Sequence, residues 1–269
     1  MAQRIDIFTD KERYERKLSH LVRKGYFLAD LHVHTTRSDG IASPQKVIAN
    51  AAKKGIHVAI SDHNKAVDFG ALTNNEKKRV IPAIEARTSE GVDILAFFYK
   101  AEELEKFYRT KIMPRKITPC ETSIPLKGLI SMLSVEKCLI CIPHCTTPNS
   151  VRRKNFVKTY KLLGKDLLKK INLFEAFNSA SNKTINHEAV RMAKKLGKPI
   201  AVGSDAHTPK AIGNAINYCK ASSTNEFLNQ LAKGKTAMIA IRTPYIQARV
   251  LPLGMFAWMK IKGILGLKN

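Results

Sequence analysis

Histidine and carboxylate residues recur at the ends of short apolar runs along this 269-residue chain. Asp30-Leu31-His32-Val33-His34 comes first and Asp39 follows; Asp62-His63, Glu85, His144, Glu175 and Gly203-Ser204-Asp205-Ala206-His207 complete the set. Each group closes or follows a stretch that reads as a strand, so imidazoles and carboxylates would gather at one end of a parallel barrel, the arrangement of a polynuclear metal site. His32 and His34 lie two apart on a strand end and project to the same side, so one ion can take both. Asp205 adds a hard oxygen. Glu85 has two oxygens and can bridge two ions; His144 offers an imidazole to the second; Asp39, His63 and His207 can hold a third. This mixture of nitrogen and oxygen donors suits zinc, manganese or iron better than magnesium. Taken singly, each residue is as readily an ordinary hydrogen-bonded loop residue; it is the joint placement that points to a metal centre.

The elements that must position these residues can be read from the apolar pattern. Residues 1–25 form a basic, helix-prone lead-in. Phe27-Leu28-Ala29-Asp30-Leu31 is a first strand, and Ser43-Pro44 opens a helix through about Lys54, with serine as cap and proline at the first helical position. Ile56–Ile60 is a strand delivering Asp62-His63, and Val80–Ile84 is a strand delivering Glu85. Val92–Phe97 follows a Glu90-Gly91 turn as a hairpin-like partner. Helices are expected near 102–112 and 123–137, a strand at Leu139–Ile142 leading to His144, and a helix over much of 151–169. Asn172–Phe174 then leads to Glu175. A helix at 183–196 ends at Gly197, Pro199–Val202 leads to Asp205, and a helix near 224–233 with a strand at 236–241 completes the pattern. Repeated strand–helix alternation argues a parallel sheet, closed or distorted into a barrel.

Composition bounds the partners. The net charge of +24 is unusual for an enzyme of small metabolites and draws polyanions, nucleic acid among them. A block holding Arg152, Arg153, Lys154, Lys158, Lys161, Lys165, Lys169 and Lys170 is opposed only by Asp166, and no carboxylate side chain follows Glu226. Solvated helix faces account for such runs equally well. Five cysteines form no disulfide framework, which fits a reducing cytoplasm. Cys138-x-x-Cys141 and Cys145 bracket His144, but Leu139-Ile140 and Ile142 make that stretch read as a buried strand, with cysteine as a small hydrophobe. The opening residues contain no apolar signal region. Residues 243–269 form a basic, apolar extension, with Trp258, Lys260 and Lys262 among Pro252, Gly254, Gly263 and Gly266. It would pack on the barrel, cover an interface between subunits, or lie in a membrane interface, packing being the commoner fate.

At Asp30-Leu31-His32-Val33-His34-Thr35, Ser38-Asp39-Gly40, Ser61-Asp62-His63-Asn64, Ile142-Pro143-His144 and Gly203-Ser204-Asp205-Ala206-His207 the chain resembles the PHP (polymerase and histidinol phosphatase) superfamily, over roughly residues 26–242. The resemblance implies a distorted (β/α)7 TIM-like barrel with two or three divalent ions at the C-terminal ends of its strands. By position, His32, His34, Glu85 and Asp205 would serve one ion, Glu85 and His144 a second, and Asp39, His63 and His207 a third. Asp93 stands where many members carry a ligand histidine, so it is a further candidate, and two ions rather than three is an open outcome. Asp30, Asp62, Glu175 and Asn178 are expected to support the ligands from behind.

The chemistry implied is hydrolysis of phosphate mono- or diesters by a metal-activated water, with Glu85 as the bridge and His207 or His63 as proton donor to the leaving group. Arg87, Arg152 and Arg153 are candidates to hold phosphate, arginine being suited to bidentate contact. Three readings compete: a phosphoesterase of a small phosphorylated molecule or nucleotide, a nuclease using the basic surface, and a non-catalytic nucleic-acid-binding protein on a vestigial barrel. The ligand set argues against the third, and fold resemblance does not choose between the first two.

Overall fold

Strict alternation decides what the strands present. On Val80–Arg87 the residues Ile81, Ala83, Glu85 and Arg87 share one face, and the whole strand is buried, as expected where a sheet is covered on both sides. The structure, a computed structural model, describes residues 3–145, 156, 160–244 and 248. In chain order its elements are β1 Ile5–Phe8, α1 Lys11–Arg23, β2 Phe27–Val33, α2 Pro44–Lys53, β3 His57–Ile60, α3 Asn74–Lys77, β4 Val80–Arg87 and β5 Asp93–Phe98. There follow α4 Ala101–Phe107, β6 Lys116–Thr118, β7 Glu121–Thr122, α5 Leu126–Ser134, β8 Cys138–Ile142, α6 Gly164–Lys170, β9 Leu173–Asn178, α7 Lys183–Lys195, β10 Ile200–Gly203, β11 Ala215–Cys219, α8 Thr224–Ala232 and β12 Ala237–Ile241.

Ten strands form one sheet in the order β1-β12-β11-β2-β3-β4-β5-β8-β9-β10. The sheet curls so far that the segment just beyond β10 meets the end of β2. His34 N–H donates to the Ala206 carbonyl at 2.9 Å, and Ala206 N–H donates to the His32 carbonyl at 3.2 Å. Strands β2, β3, β4, β5, β8, β9 and β10 thereby make a distorted seven-stranded barrel, in which β5 runs antiparallel to both neighbours, as the Glu90-Gly91 turn led one to expect. At the seam a side chain replaces part of the ladder. Asn217 accepts from Val202 N–H and donates to the Val202 carbonyl, at 3.0 and 2.7 Å.

The barrel interior is filled in layers. Phe27, Ala29, Leu31, Ile81, Ala83, Leu95, Leu139 and Leu173 form an inner cluster, and Phe227, Leu228 and Leu231 of α8 plug it. Phe227 stacks on Phe27 at the start of β2, which places the plug at the N-terminal end of the strands. The opposite end carries the polar residues. A register shift in β2 between Asp30 and Val33 changes its phase, so His32 and His34 succeed Leu31 on the inner side.

Most elements fall where the sequence places them, and Ser43 caps α2 by accepting from Lys46 N–H. Three differ. Ile5–Phe8, within the expected helical lead-in, is a strand that pairs with β12. Ala215–Cys219 is a further strand with no expectation attached to it. The helix expected over 102–112 gives way after Phe107 to a π turn and a 3-10 turn, followed by the small hairpin β6–β7. Of the helix expected over 151–169, residues 151–155 and 157–159 lie outside the described residues, and 160–169 hold a 3-10 turn at Tyr160–Leu163 that runs into α6. Arg152, Arg153 and nearly all of the 243–269 extension also lie outside the described residues. The cysteines are all free. Among the described residues no helix is long and apolar enough to cross a membrane.

Candidate metal centre

Strand ends bring the candidate residues into one buried cluster. His32, His34, His63 and Glu85 are at most 2% exposed, and Asp205 and His144 are also buried. Four donor atoms converge first. His32 Nε2 and His34 Nε2 are 3.1 Å apart; each is 3.5 Å from Glu85 Oε2, and they lie 3.6 and 3.3 Å from Asp205 Oδ1. Donors about 2.0–2.1 Å from a common zinc-like ion would be separated by about 3.3–3.4 Å along tetrahedral edges, so His32, His34 and Asp205 are spaced to share one ion, with Glu85 beside the two imidazoles.

Glu85 faces two further groups. Its Oε1 is 3.1 Å from His144 Nε2, and its Oε2 is 3.0 Å from His63 Nδ1. That last approach lacks hydrogen-bond geometry. Glu85 Oε2 and His63 Nδ1 are both buried without a hydrogen-bond partner, a costly state that a cation would relieve. On the other side, Asp39 Oδ2 lies 3.6 Å from His63 Nε2 and 3.2 Å from His207 Nε2, and Asp39 Oδ1 lies 3.5 Å from His34 Nδ1. The candidate ion-holding groups are therefore His32-His34-Asp205, His32-Glu85-His144, His34-Asp39-His63 and His63-Glu85-Asp93.

The electrostatics follow from this crowding. Burial would push His207 down, but the Asp39 and Asp205 carboxylates outweigh it and raise the imidazole to about 9. Burial dominates at His63 and lowers it to about 4. Burial would raise Glu85, but the surrounding imidazoles hold it well below the usual carboxylate range.

The supporting residues act by hydrogen bonding. Glu175 Oε1 accepts from His32 Nδ1 at 2.9 Å, which leaves Nε2 as the free lone pair, while Oε2 accepts from the His144 backbone N–H and from Asn178 Nδ2, each at 2.9 Å. One carboxylate thus orients the His32 imidazole and pins the His144 backbone just beyond β8. Gly203 makes room for it: a Cβ there would stand 2.2 Å from Glu175 Oε1 and 2.6 Å from His32 Cβ. Glu175→Gln keeps the shape and removes the charge, and it is expected to weaken metal binding by about 10- to 100-fold in a metal titration. An unchanged titration would separate Glu175 from the centre.

Asp62 accepts from Thr35 N–H, Thr35 Oγ1 and Ser38 Oγ at 2.6–2.7 Å, and so holds the turn that carries Asp39. Asp30 accepts from Ser204 N–H at 3.1 Å and Gly213 N–H at 2.7 Å, tying β2 to the segment around Asp205; its burial raises it to about 6. Arg87 is 7% exposed and engages Asp93, with Nε to Oδ1 at 2.5 Å and Nη2 to Oδ2 at 3.0 Å. Asp93 Oδ2 lies 4.0 Å from His144 Nε2. The two expectations attached to this pair, phosphate binding by Arg87 and metal binding by Asp93, therefore concern groups already held against each other.

Sequence reasoning attached no role to Asn64. Its N–H donates to the Glu85 carbonyl and its Oδ1 accepts from Arg87 N–H, both at 2.9 Å, which clamps β4 on either side of Ala86. Asn64, His144 and Asp205 are the non-glycine residues with positive φ, at 49°, 25° and 51° among the described residues. Backbone strain of this kind gathers at functional sites. The signal available in the sequence was the position of Asn64 directly after Asp62-His63.

Comparison with known proteins agrees with this geometry. Residues 30–138 match the PHP domain and residues 183–236 match the PHP-associated family, together more than half of the chain. An uncharacterized protein of Methanocaldococcus jannaschii is 29% identical over 214 residues, 75% of this chain and 78% of that protein. Among solved structures, a Bifidobacterium adolescentis protein provisionally assigned as a metal-dependent phosphoesterase superposes with a TM-score of 0.55 at 14% identity, covering 77% of this chain and 96% of the other. The lesion-specific endonuclease Q of Pyrococcus furiosus superposes with a TM-score of 0.60 at 19% identity, covering 79% of this chain and 57% of the endonuclease, so this chain spans little more than half of that enzyme. With both family matches falling on the barrel whose strand ends gather the histidines and carboxylates, the chain belongs to the PHP superfamily.

Proposed function

We propose that this protein is a metal-dependent phosphoesterase that hydrolyses phosphate mono- or diesters at a centre of two or three zinc, manganese or iron ions. The observation that carries the reading is the convergence of His32, His34, His63 and His144 on the buried, partly orphaned carboxylate of Glu85, with Asp205 beside His32 and His34. Bound divalent ions would polarise phosphoryl oxygens and make a water nucleophilic at neutral pH.

The chain's own residues do the rest. His32, His34, Asp205 and Glu85 would hold one ion, Glu85 and His144 a second, and Asp39, His63 and His207 a third. Glu175, Asn178, Asp30 and Asp62 keep those side chains in place. In a two-ion centre around Glu85, His207 Nε2 beside Asp39 would keep its proton and be placed to hand it to the leaving oxygen, whereas His63, which burial lowers to about 4, would have no such proton to give. In a three-ion centre both are ligands. Arg87 sits two residues beyond Glu85 on the same inner face of β4, where Asp93 orients its guanidinium. Arg152 and Arg153 follow His144 in sequence and are further candidates for phosphate contact.

A nuclease acting on oligonucleotides is the second reading. The net charge of +24 favours it, and so does the likeness to an endonuclease. The two readings separate in one experiment. Metal content is measured on the purified protein, and hydrolysis of p-nitrophenyl phosphate, its bis-ester and a short oligonucleotide is followed with and without chelator over a salt series. Two or three ions per chain and cleavage abolished by chelator are expected. If several phosphates of a strand are contacted, KM for the oligonucleotide should rise by orders of magnitude between about 50 and 200 mM salt, while that for the monoester moves little. No cleavage of any ester by protein loaded with zinc, manganese or iron would overturn the phosphoesterase reading.

A further inference from the structure

A second cleft of about 820 Å3 lies where β1 and β12 end side by side. Ile7, Phe8, Ile241 and Pro209 give it apolar walls, and Ile7 is 55% exposed there. The volume is within the range of pockets that take small organic ligands.

The cleft is also cationic. Lys11, Lys54, Lys210 and Arg242 line it, and among its described lining residues Glu15 is the single carboxylate. Glu15 already faces Lys11 Nζ at 3.5 Å. Two of the ammonium groups are fixed in place: Lys11 Nζ donates to Asn214 Oδ1 at 3.2 Å and Lys54 Nζ to the Ile212 carbonyl at 2.5 Å. Burial, and then the neighbouring charge of Lys11, lower Lys54. Lys54 is half-buried and Lys11, Lys210 and Arg242 are exposed around it. Four cations beside a single carboxylate favour an anion, and the apolar walls favour a ring or similar body attached to it.

We propose that this cleft binds a phosphate-bearing nucleotide unit, with its ring system against Ile7, Phe8 and Ile241 and its phosphate against Lys11, Lys54, Lys210 and Arg242. The unit is either a free nucleotide or one residue of a strand; the chemistry recognised is the same. The connection from Asp205 to Asn214 serves both places, carrying Asp205 and His207 at the metal centre and Pro209, Lys210 and Asn214 at the cleft. The cleft is nevertheless a separate site, and the proposal stands whether or not the metal centre hydrolyses phosphate esters.

The test is equilibrium binding to the full chain freed of metal by chelator. Fluorescently labelled AMP, a labelled short single strand and inorganic phosphate as competitor are titrated by anisotropy. Saturable binding of AMP or the strand is expected, at least tenfold tighter than inorganic phosphate. It should persist in Glu85→Gln protein that circular dichroism shows to be folded, and fall at least tenfold in the Lys210→Glu/Arg242→Glu variant, whose two positions are exposed and leave the core untouched. Tighter binding of AMP would assign a free nucleotide, and tighter binding of the strand a nucleotide within it. Absence of binding up to millimolar concentrations, equal affinity for inorganic phosphate, loss of binding in folded Glu85→Gln, or indifference to the double charge reversal would each overturn the proposal.

Discussion

Glu85→Gln is expected to lower phosphoesterase turnover by on the order of a thousandfold while leaving the fold intact, with fewer ions retained per chain. The substitution conserves shape, so the loss comes from charge. Glu85 is the one carboxylate within 3.5 Å of His32, His34, His63 and His144, and it divides its two oxygens between them. A neutral amide presents a poorer donor and sets an N–H toward imidazole nitrogens that face inward. Metal analysis and circular dichroism beside the rate assay separate the possibilities. Wild-type turnover with wild-type metal content would sink the bridging assignment, whereas loss of folded structure would assign Glu85 to stability instead.

Asp93→Ala is expected to destabilise the protein by about 3–5 kcal/mol, because it strands a buried guanidinium. Arg87 and Asp93 sit opposite each other across the β4–β5 ladder and meet through two hydrogen bonds. Removing both charges with Arg87→Met and Asp93→Ala together should recover much of the loss, since the guanidinium that Asp93→Ala strands is then gone. Denaturant midpoints of the two single variants and the double variant measure this directly. A lowered metal content with an unchanged midpoint would show that Asp93 is a ligand first and a partner of Arg87 second.

The positions of the candidate ligands were legible in the sequence because they depend on local rules. An apolar run of four to six residues makes a strand, period two decides which side chains share a face, and a polar residue just after the run must stand at the strand end. Those rules locate Glu85 after Val80–Ile84 and Asp205 after Pro199–Val202, and they locate the β4–β5 hairpin through Glu90-Gly91. The strand β1 escaped notice because its four residues include Asp6 and lie among charges; only its pairing with β12 makes Ile5–Phe8 extended. The strand β11 escaped because Asn217 interrupts its apolar pattern, and the reason for that asparagine is a seam contact with Val202, 15 residues earlier in the chain.

Residue types and spacing by themselves determined the fold class, the candidate donor set and the cationic character of the chain. Tertiary structure alone decided how the donors are shared. Glu175 holds the His32 imidazole and the His144 backbone at once because closure of the barrel brings β9 between them in space, and Arg87 faces Asp93 because an antiparallel ladder sets residues six apart side by side. The sharing of Glu85 among four imidazoles has the same origin. Which oxygen meets which nitrogen depends on the curvature of the sheet and on a register shift in β2, and both are properties of packing that no local run of residues encodes.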